Sequence, residues 1–111
     1  MDIQGMIDQI RQRPDFDQAG MVLVHNGVVR GTSRDGRKVS GLRVSVDHEK
    51  LFRIIEKGKA DPGILDIRVA INEGKVLSVG EDVMVLAVAG DIRQTVIRVL
   101  ERTLNAVKTT V

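Results

Sequence analysis

The chain has 111 residues, no cysteine, and 17 lysine and arginine residues against 15 acidic ones. This length predicts one domain over residues 1–111, and the lack of cysteine excludes disulfides, thiolate metal sites and cysteine nucleophiles. A net charge of +2 and only two aromatic residues argue against nucleic-acid binding. No apolar run has the length of a signal peptide core or a membrane span, so a cytoplasmic protein without membrane attachment is expected.

The first half of the chain predicts two helices and two strands. Apolar residues at helical spacing indicate a helix over residues 2–12. A β-branched, apolar run over residues 20–29 predicts a strand. Alternating polarity over residues 39–46 predicts a second strand, and a helix over residues 48–58 follows it. The inward side chains of the second strand are expected to be Leu42, Val44 and Val46.

The loop between these two strands, Arg30–Lys38, has the most distinctive local composition. Two interpretations are open. A solvated hairpin loop is the commoner case for a basic, glycine-containing segment. Alternatively, its four cationic side chains and exposed backbone N–H groups form an anion site. The four cations are Arg30, Arg34, Arg37 and Lys38.

The second half predicts two more strands and a long helix. Residues 64–71 alternate in polarity, and residues 75–77 continue that strand after a turn. Its outward side chains are expected to be Asp66 and Arg68. Residues 83–89 are apolar throughout, which predicts a strand covered on both faces at the centre of the sheet. Asp91 is expected to cap the last helix, so the predicted order is α-β-β-α-β-β-α in an α+β fold.

Few chemically reactive side chains lie outside the basic loop. His25 and His48 are not spaced as metal ligands, each is expected to be structural or solvated, and no metal or cofactor is expected. Arg93 lies in the first turn of the last helix, where backbone N–H groups favour an anion. If the strand over residues 20–29 lies beside the central strand, Arg30 and Arg93 could face one pocket; otherwise each is a surface residue.

Three segments of the chain follow a known family pattern in order and spacing. They read GMVLVHNGVVR at residues 20–30, DIRVAINEGKVLSVGEDVMVLAVAGDIRQ at residues 66–94 and NAVK at residues 105–108. The first compares with G-[AV]-V-x-x-F-x-G-x-V-R, and the second contains a glycine–acidic turn before the apolar strand. With these segments the chain resembles the large, catalytic subunit of molybdopterin synthase, the MoaE family.

This resemblance implies an α/β hammerhead-type fold with a mixed or antiparallel sheet, and a homodimer. It implies a role in molybdenum cofactor biosynthesis. A ubiquitin-like sulfur-carrier small subunit would insert its thiocarboxylated Gly-Gly tail, and sulfur would pass to a pterin phosphate, cyclic pyranopterin monophosphate. Arg30 and Arg93 match arginines of the pattern and become anion-binding candidates. Lys108 matches a lysine of the pattern and becomes a catalytic candidate.

Two departures from the family pattern bear on activity. Ile92 stands where the family has a histidine before the arginine, and the sequence ends at Val111, ahead of the family's tail with catalytic lysines. The chain is therefore expected to be impaired in sulfur transfer. The alternative is a non-catalytic binding module on the same scaffold, which binds a sulfur-carrier-like protein or a small anion.

Overall fold

The computed structural model describes residues 1–33, 35–38 and 41–110. Single-turn 3-10 helices at Phe16–Gln18 and Lys108–Thr110 follow the first and last α-helix. Within the described ranges, no helix is both long and apolar enough to cross a membrane. The helices and strands are α1 Ile3–Arg11, β1 Met21–Val28, β2 Gly41–Arg43, α2 His48–Lys59, β3 Ile64–Ile71, β4 Val76–Ser78, β5 Asp82–Gly90 and α3 Arg93–Val107.

Strand β5 is the centre of an antiparallel sheet with the order β1-β5-β3. Met21 pairs with Gly90 and Val28 pairs with Asp82, so β1 and β5 run in opposite directions. Every residue of Met84–Gly90 is buried. Leu86 and Val88 of this run pack with α2 and α3, and its alanines pack with α1. The predicted central strand with both faces covered is confirmed.

A second, two-stranded sheet was not predicted from the sequence. Residues 75–77 were expected to continue β3, but β4 is a separate strand that pairs with β2. Gly74, with φ +79°, turns the chain between β3 and β4, a conformation that glycine adopts without steric cost. The observed order is therefore α-β-β-α-β-β-β-α, and the predicted order counted two strands as one.

The orientation predicted for Asp66 is wrong, because this residue is only 3% exposed. Its carboxylate accepts a hydrogen bond from Arg68 Nε at 2.8 Å and lies 3.7 Å from an Arg13 nitrogen and 3.8 Å from Lys59 Nζ. Alternation correctly assigned Asp66 to the face opposite Ile67. It could not reveal that α1 and the segment after it cover that face as well.

The predicted cap of α3 is also wrong. Ile92 occupies the N-cap position, and no side chain caps the helix there. The backbone N–H of Asp91 instead donates to the carbonyl oxygen of Gly63 at 2.9 Å. This contact joins Asp91 to the turn before β3, so tertiary packing overrides the local capping preference.

Candidate functional site

Three chain segments meet at the end of the sheet where β5 begins. Because β1 is antiparallel to β5, the residues after β1 lie at the start of β5. Helix α3 follows β5 and returns along the sheet, and its 15 residues extend over about 22 Å. This return places Lys108, just after α3, at the same end as Arg30. Both residues line one cavity.

This cavity, the cationic cavity, has a volume of about 710 Å³. Its polar lining side chains are His25, Arg30, Thr32, Ser33 and Lys108. Its other lining residues are Gly27, Val28, Leu42, Val83 and Met84. The lining residues that the structure describes include no carboxylate. Two permanent cations without an acid beside them in the lining make a site that attracts an anionic ligand.

Contacts with α2 hold the turn that carries Lys108. The backbone N–H of Asp47 donates to the carbonyl oxygen of Thr110 at 3.0 Å, and Lys50 Nζ donates to that of Thr109 at 3.4 Å. Lys108 is itself the C-cap residue of α3, where the negative end of the helix dipole favours a cation. The backbone that presents the lysine to the cavity is thus anchored.

Leu42 belongs to the cavity wall and not to the core, which corrects the inward orientation predicted for it. Its side chain is 41% exposed, whereas Val44 is 7% exposed. The prediction treated β2 as part of one sheet against the main core. Among the described strands, β2 pairs only with β4 and is not part of the main sheet. The face of β2 that carries Leu42 therefore lines the cavity.

His25 is the cavity residue that sequence reasoning missed, since it was expected to be structural or solvated. It lies in β1 and is partly buried. A Cβ atom added to Gly27 would lie 3.4 Å from His25 Nε2, so the ring lies beside a glycine that also lines the cavity. Burial, and then the charge of Lys108, lower the pKa of His25 below its ordinary value. The imidazole is therefore neutral at pH 7.

Arg93 lies at the opposite end of β5 from the cationic cavity. It begins α3 just after Gly90, whereas Arg30 follows the β1 end that pairs with Asp82. A strand of 9 residues separates the two ends by roughly 25 Å. Of the two open alternatives, a pocket shared by both arginines does not form within one chain, because it would require β1 and β5 to be parallel.

The basic loop forms a hairpin in which the backbone N–H of Ser33 donates to the carbonyl oxygen of Arg37 at 2.8 Å. The Arg37 side chain is 85% exposed, and its Nε lies 3.0 Å from a carboxylate oxygen of Asp35. Arg37 and Lys38 are outside the described lining of the cationic cavity, and their anion-binding role stays a prediction. Arg34 lies outside the described residues.

The second histidine, His48, is outside the described lining of the cavity. It is exposed at the start of α2, and its Nε2 contacts Glu73 Oε1. Among the residues that the structure describes, no group of three or more histidine, cysteine, aspartate or glutamate side chains is placed to hold a metal ion.

The family model described as MoaE protein matches residues 1–110. The chain belongs to the MoaE family. The family expected from the residue pattern is thereby confirmed, and the chain's role lies in molybdenum cofactor biosynthesis. Among curated proteins, none matches the chain significantly.

Solved structures share the fold of this MoaE-family chain. Molybdopterin synthase from Staphylococcus aureus matches with a TM-score of 0.74 and 22% identity over 94% of this chain and 77% of that one. A molybdopterin biosynthesis MoaE protein from Burkholderia ambifaria matches with a TM-score of 0.80 and 18% identity over 97% and 70%. A complex of subunits 1 and 2 of molybdopterin-converting factor from Helicobacter pylori matches with a TM-score of 0.69 and 17% identity over 95% and 70%. The predicted α+β fold class is confirmed.

Proposed function

We propose that the cationic cavity binds the thiocarboxylated tail of a ubiquitin-like sulfur carrier together with the phosphate of cyclic pyranopterin monophosphate, so that sulfur passes from the carrier to the pterin. The observation that carries this proposal is that Arg30 and Lys108 line one cavity whose described lining has no carboxylate. Both ligands are anions. Arginine recognises carboxylate and phosphate groups through two parallel N–H···O bonds.

The apolar part of the cavity suits the tail of a protein. Val28 and Leu42 are 47% and 41% exposed beside the cations. Apolar surface next to cations fits an extended peptide that ends in a negative charge. The Helicobacter pylori structure is a protein–protein complex of two subunits. By the same proposal, this chain binds a small carrier subunit, forms a homodimer and acts in the cytoplasm.

The two cations take different roles. Arg30 is assigned to binding, because its fork of donors suits a fixed anionic group. Lys108 is the catalytic candidate. After the thiocarboxylate sulfur bonds to the pterin, water must attack the acyl carbon, break its bond to sulfur and release the carrier as a carboxylate, and an ammonium can stabilise the oxyanion of that step. Ile92, the departure from the family's histidine, lies beside Arg93 at the other end of β5. The expected impairment of sulfur transfer stays a prediction.

A reconstituted assay tests the proposal. The protein is mixed with the thiocarboxylated carrier and cyclic pyranopterin monophosphate, and molybdopterin formation and the Kd of the carrier are measured. Arg30→Ala is expected to weaken carrier binding about tenfold or more, because a hydrogen bond between charged groups, worth about 1.5–3 kcal/mol, is lost. Lys108→Ala is expected to lower product formation more than carrier affinity. Arg98→Ala, at an exposed position of α3, is the matched control and should leave both quantities unchanged.

The two measurements separate the alternatives. Carrier binding that Arg30→Ala leaves untouched would contradict the assignment of the cavity. Carrier binding without product by the wild-type chain would support the non-catalytic binding module.

A further inference from the structure

His25 extends the cationic cavity beyond the residues that the resemblance names. It lines the cavity together with Arg30 and Lys108. Its backbone is part of the central ladder, where it pairs with Leu86, so its position does not depend on a loop. The cavity lining therefore holds a titratable ring together with two permanent cations.

We propose that His25 is a third anion-recognition group of the cationic cavity and that it takes up a proton when an anion binds there. This inference rests on the proposed function, since it requires an anionic ligand in the cavity. It goes further by adding a titratable third group to the two cations and by making the affinity of the cavity for an anion depend on pH.

The groups that face His25 explain why its ring is neutral before a ligand binds. Arg30 and Lys108 are positive, and the other described side chains of the lining are uncharged. The carboxylate of Asp82, at the start of β5, accepts a hydrogen bond from Asn26 at 3.2 Å and is not part of the lining. Burial and Lys108 lower the pKa of His25, because both disfavour a further positive charge.

An anion reverses this balance. A dianion brings two negative charges into the cavity and offsets both cations, so the imidazolium is favoured relative to the empty cavity. Both nitrogens of an imidazolium are donors, whereas a neutral imidazole has one donor and one acceptor. A protonated His25 can therefore add a charged hydrogen bond to an oxygen of the ligand, while a monoanion offers less charge to offset the cost of protonation.

This linkage makes anion affinity depend on pH. Because the bound state takes up a proton, affinity rises as the pH falls through the pKa values of His25. The gain is about tenfold for each unit by which the ligand raises the pKa of this residue.

Calorimetric titration with sulfate at about pH 8 and about pH 5.5 tests the inference, because sulfate keeps its charge across this range while histidine changes its own. The wild-type chain is expected to bind sulfate about fivefold or more tightly at the lower pH. His25→Gln retains a hydrogen-bonding side chain without a titration in this range, and its affinity is expected to be nearly the same at both pH values. His48→Gln removes the other histidine, outside the cavity, and should behave like the wild type.

An independent readout follows the histidine directly. In proton NMR, the midpoint of the pH titration of the His25 Cε1–H resonance should lie at a higher pH in the presence of sulfate. Addition of sulfate at a fixed pH should leave the His48 resonance at its position. His25→Gln identifies the resonance, since the chain has only two histidines.

The outcomes distinguish this inference from the proposed function. If His25→Gln keeps the wild-type pH dependence, the role of His25 is overturned while anion binding by the cavity stands. Loss of sulfate binding in Arg30→Ala at both pH values supports the proposed function whatever His25 does. A wild-type chain that binds no sulfate at either pH overturns both.

Discussion

The two ends of β5 differ in how closely the chain packs around them. At the Gly90 end, a Cβ atom added to Gly20 would lie 2.2 Å from the carbonyl oxygen of Asp91, and one added to Gly90 would lie 2.7 Å from that of Gly63. Only glycine fits such approaches. At the Asp82 end, the chain leaves a cavity of about 710 Å³. One strand thus has a closed end and an open end.

The charges follow the same division. Near the closed end, Asp66 lies close to Arg13, Lys59 and Arg68. Arg13 also pairs with Asp15 and Lys59 with Glu56, so three acids balance three cations within the protein. At the open end, the described lining of the cationic cavity has cations without a carboxylate. Charge that is paired internally stabilises the fold, whereas charge without an internal partner is left to interact with a ligand. The closed end therefore supports the structure, and the open end is the one proposed to bind the ligand.

The largest effect on stability is expected from adding a side chain at the closed end, where the packing leaves no space for one. Gly90→Ala would bring a methyl group within 2.8 Å of the Val96 side chain and 2.7 Å of a backbone oxygen. Unfolding in denaturant should show a loss of about 3 kcal/mol, since such overpacking forces the backbone to shift. Gly31→Ala, where the nearest atom would be 3.8 Å away, should change stability by no more than about 0.5 kcal/mol. Equal stabilities for the two variants would contradict the tight packing of this end.

Asp66→Ala tests the internal pairing of charge at the closed end. Removal of this buried carboxylate leaves three cations close together, and the free energy of unfolding should fall by about 3 kcal/mol. Glu49→Ala, which breaks the exposed pair with Arg53 in α2, should cost about 0.5 kcal/mol or less. Equal destabilisation of the two variants would contradict the internal pairing of charge at the closed end.

Arg30→Ala and Arg93→Ala compare the two ends in binding. Both remove one arginine, but only Arg30 lines the cationic cavity. Arg30→Ala should weaken carrier binding at least about tenfold, and Arg93→Ala should change it much less, as measured by calorimetry. If both variants lose the same affinity, Arg93 acts at the cavity of a second copy of the chain, and the two ends are not independent.

The smallest effect is the pH dependence of stability that His25 contributes. The pKa of this histidine is lowered from 6.5 in the folded chain. Between the two pKa values the unfolded chain therefore binds more protons, and stability falls as the pH drops through this range. The free energy of unfolding, measured in denaturant, should fall more for the wild type than for His25→Gln between about pH 7 and about pH 5.5. Identical losses would show that the ring titrates alike in both states.

Sequence patterns predicted the parts of the fold in which periodicity extends over many residues. The apolar run of β5 and the helical spacing of α3 were sufficient for both elements. β4 has 3 residues, too few to show a period, and its pairing with β2 depends on residues far away in the chain. Leu42 and Asp66 were misassigned because alternation shows which side chains share a face, and not what covers that face.

The candidate site was predicted in part. Arg30 was named from the basic loop and again through the resemblance, and Lys108 through the resemblance alone. The cavity that unites them follows from antiparallel pairing and the return of α3. Whether Arg93 shares a pocket with Arg30 was left open, because adjacency of two strands says nothing about their relative direction. His25 was missed because a histidine in a strand pattern looks the same on a surface as in a cavity wall.

The sequence by itself determined the family, the α+β class and the central strand, because these depend on local spacing and on the order of motifs along the chain. Only the tertiary structure decided which cations lie together, which carboxylate is buried and where a cavity forms. Those properties depend on strand direction and on contacts between residues distant in sequence, such as Arg30 and Lys108 at the open end of β5. Local spacing carries no information about strand direction or about contacts between distant residues.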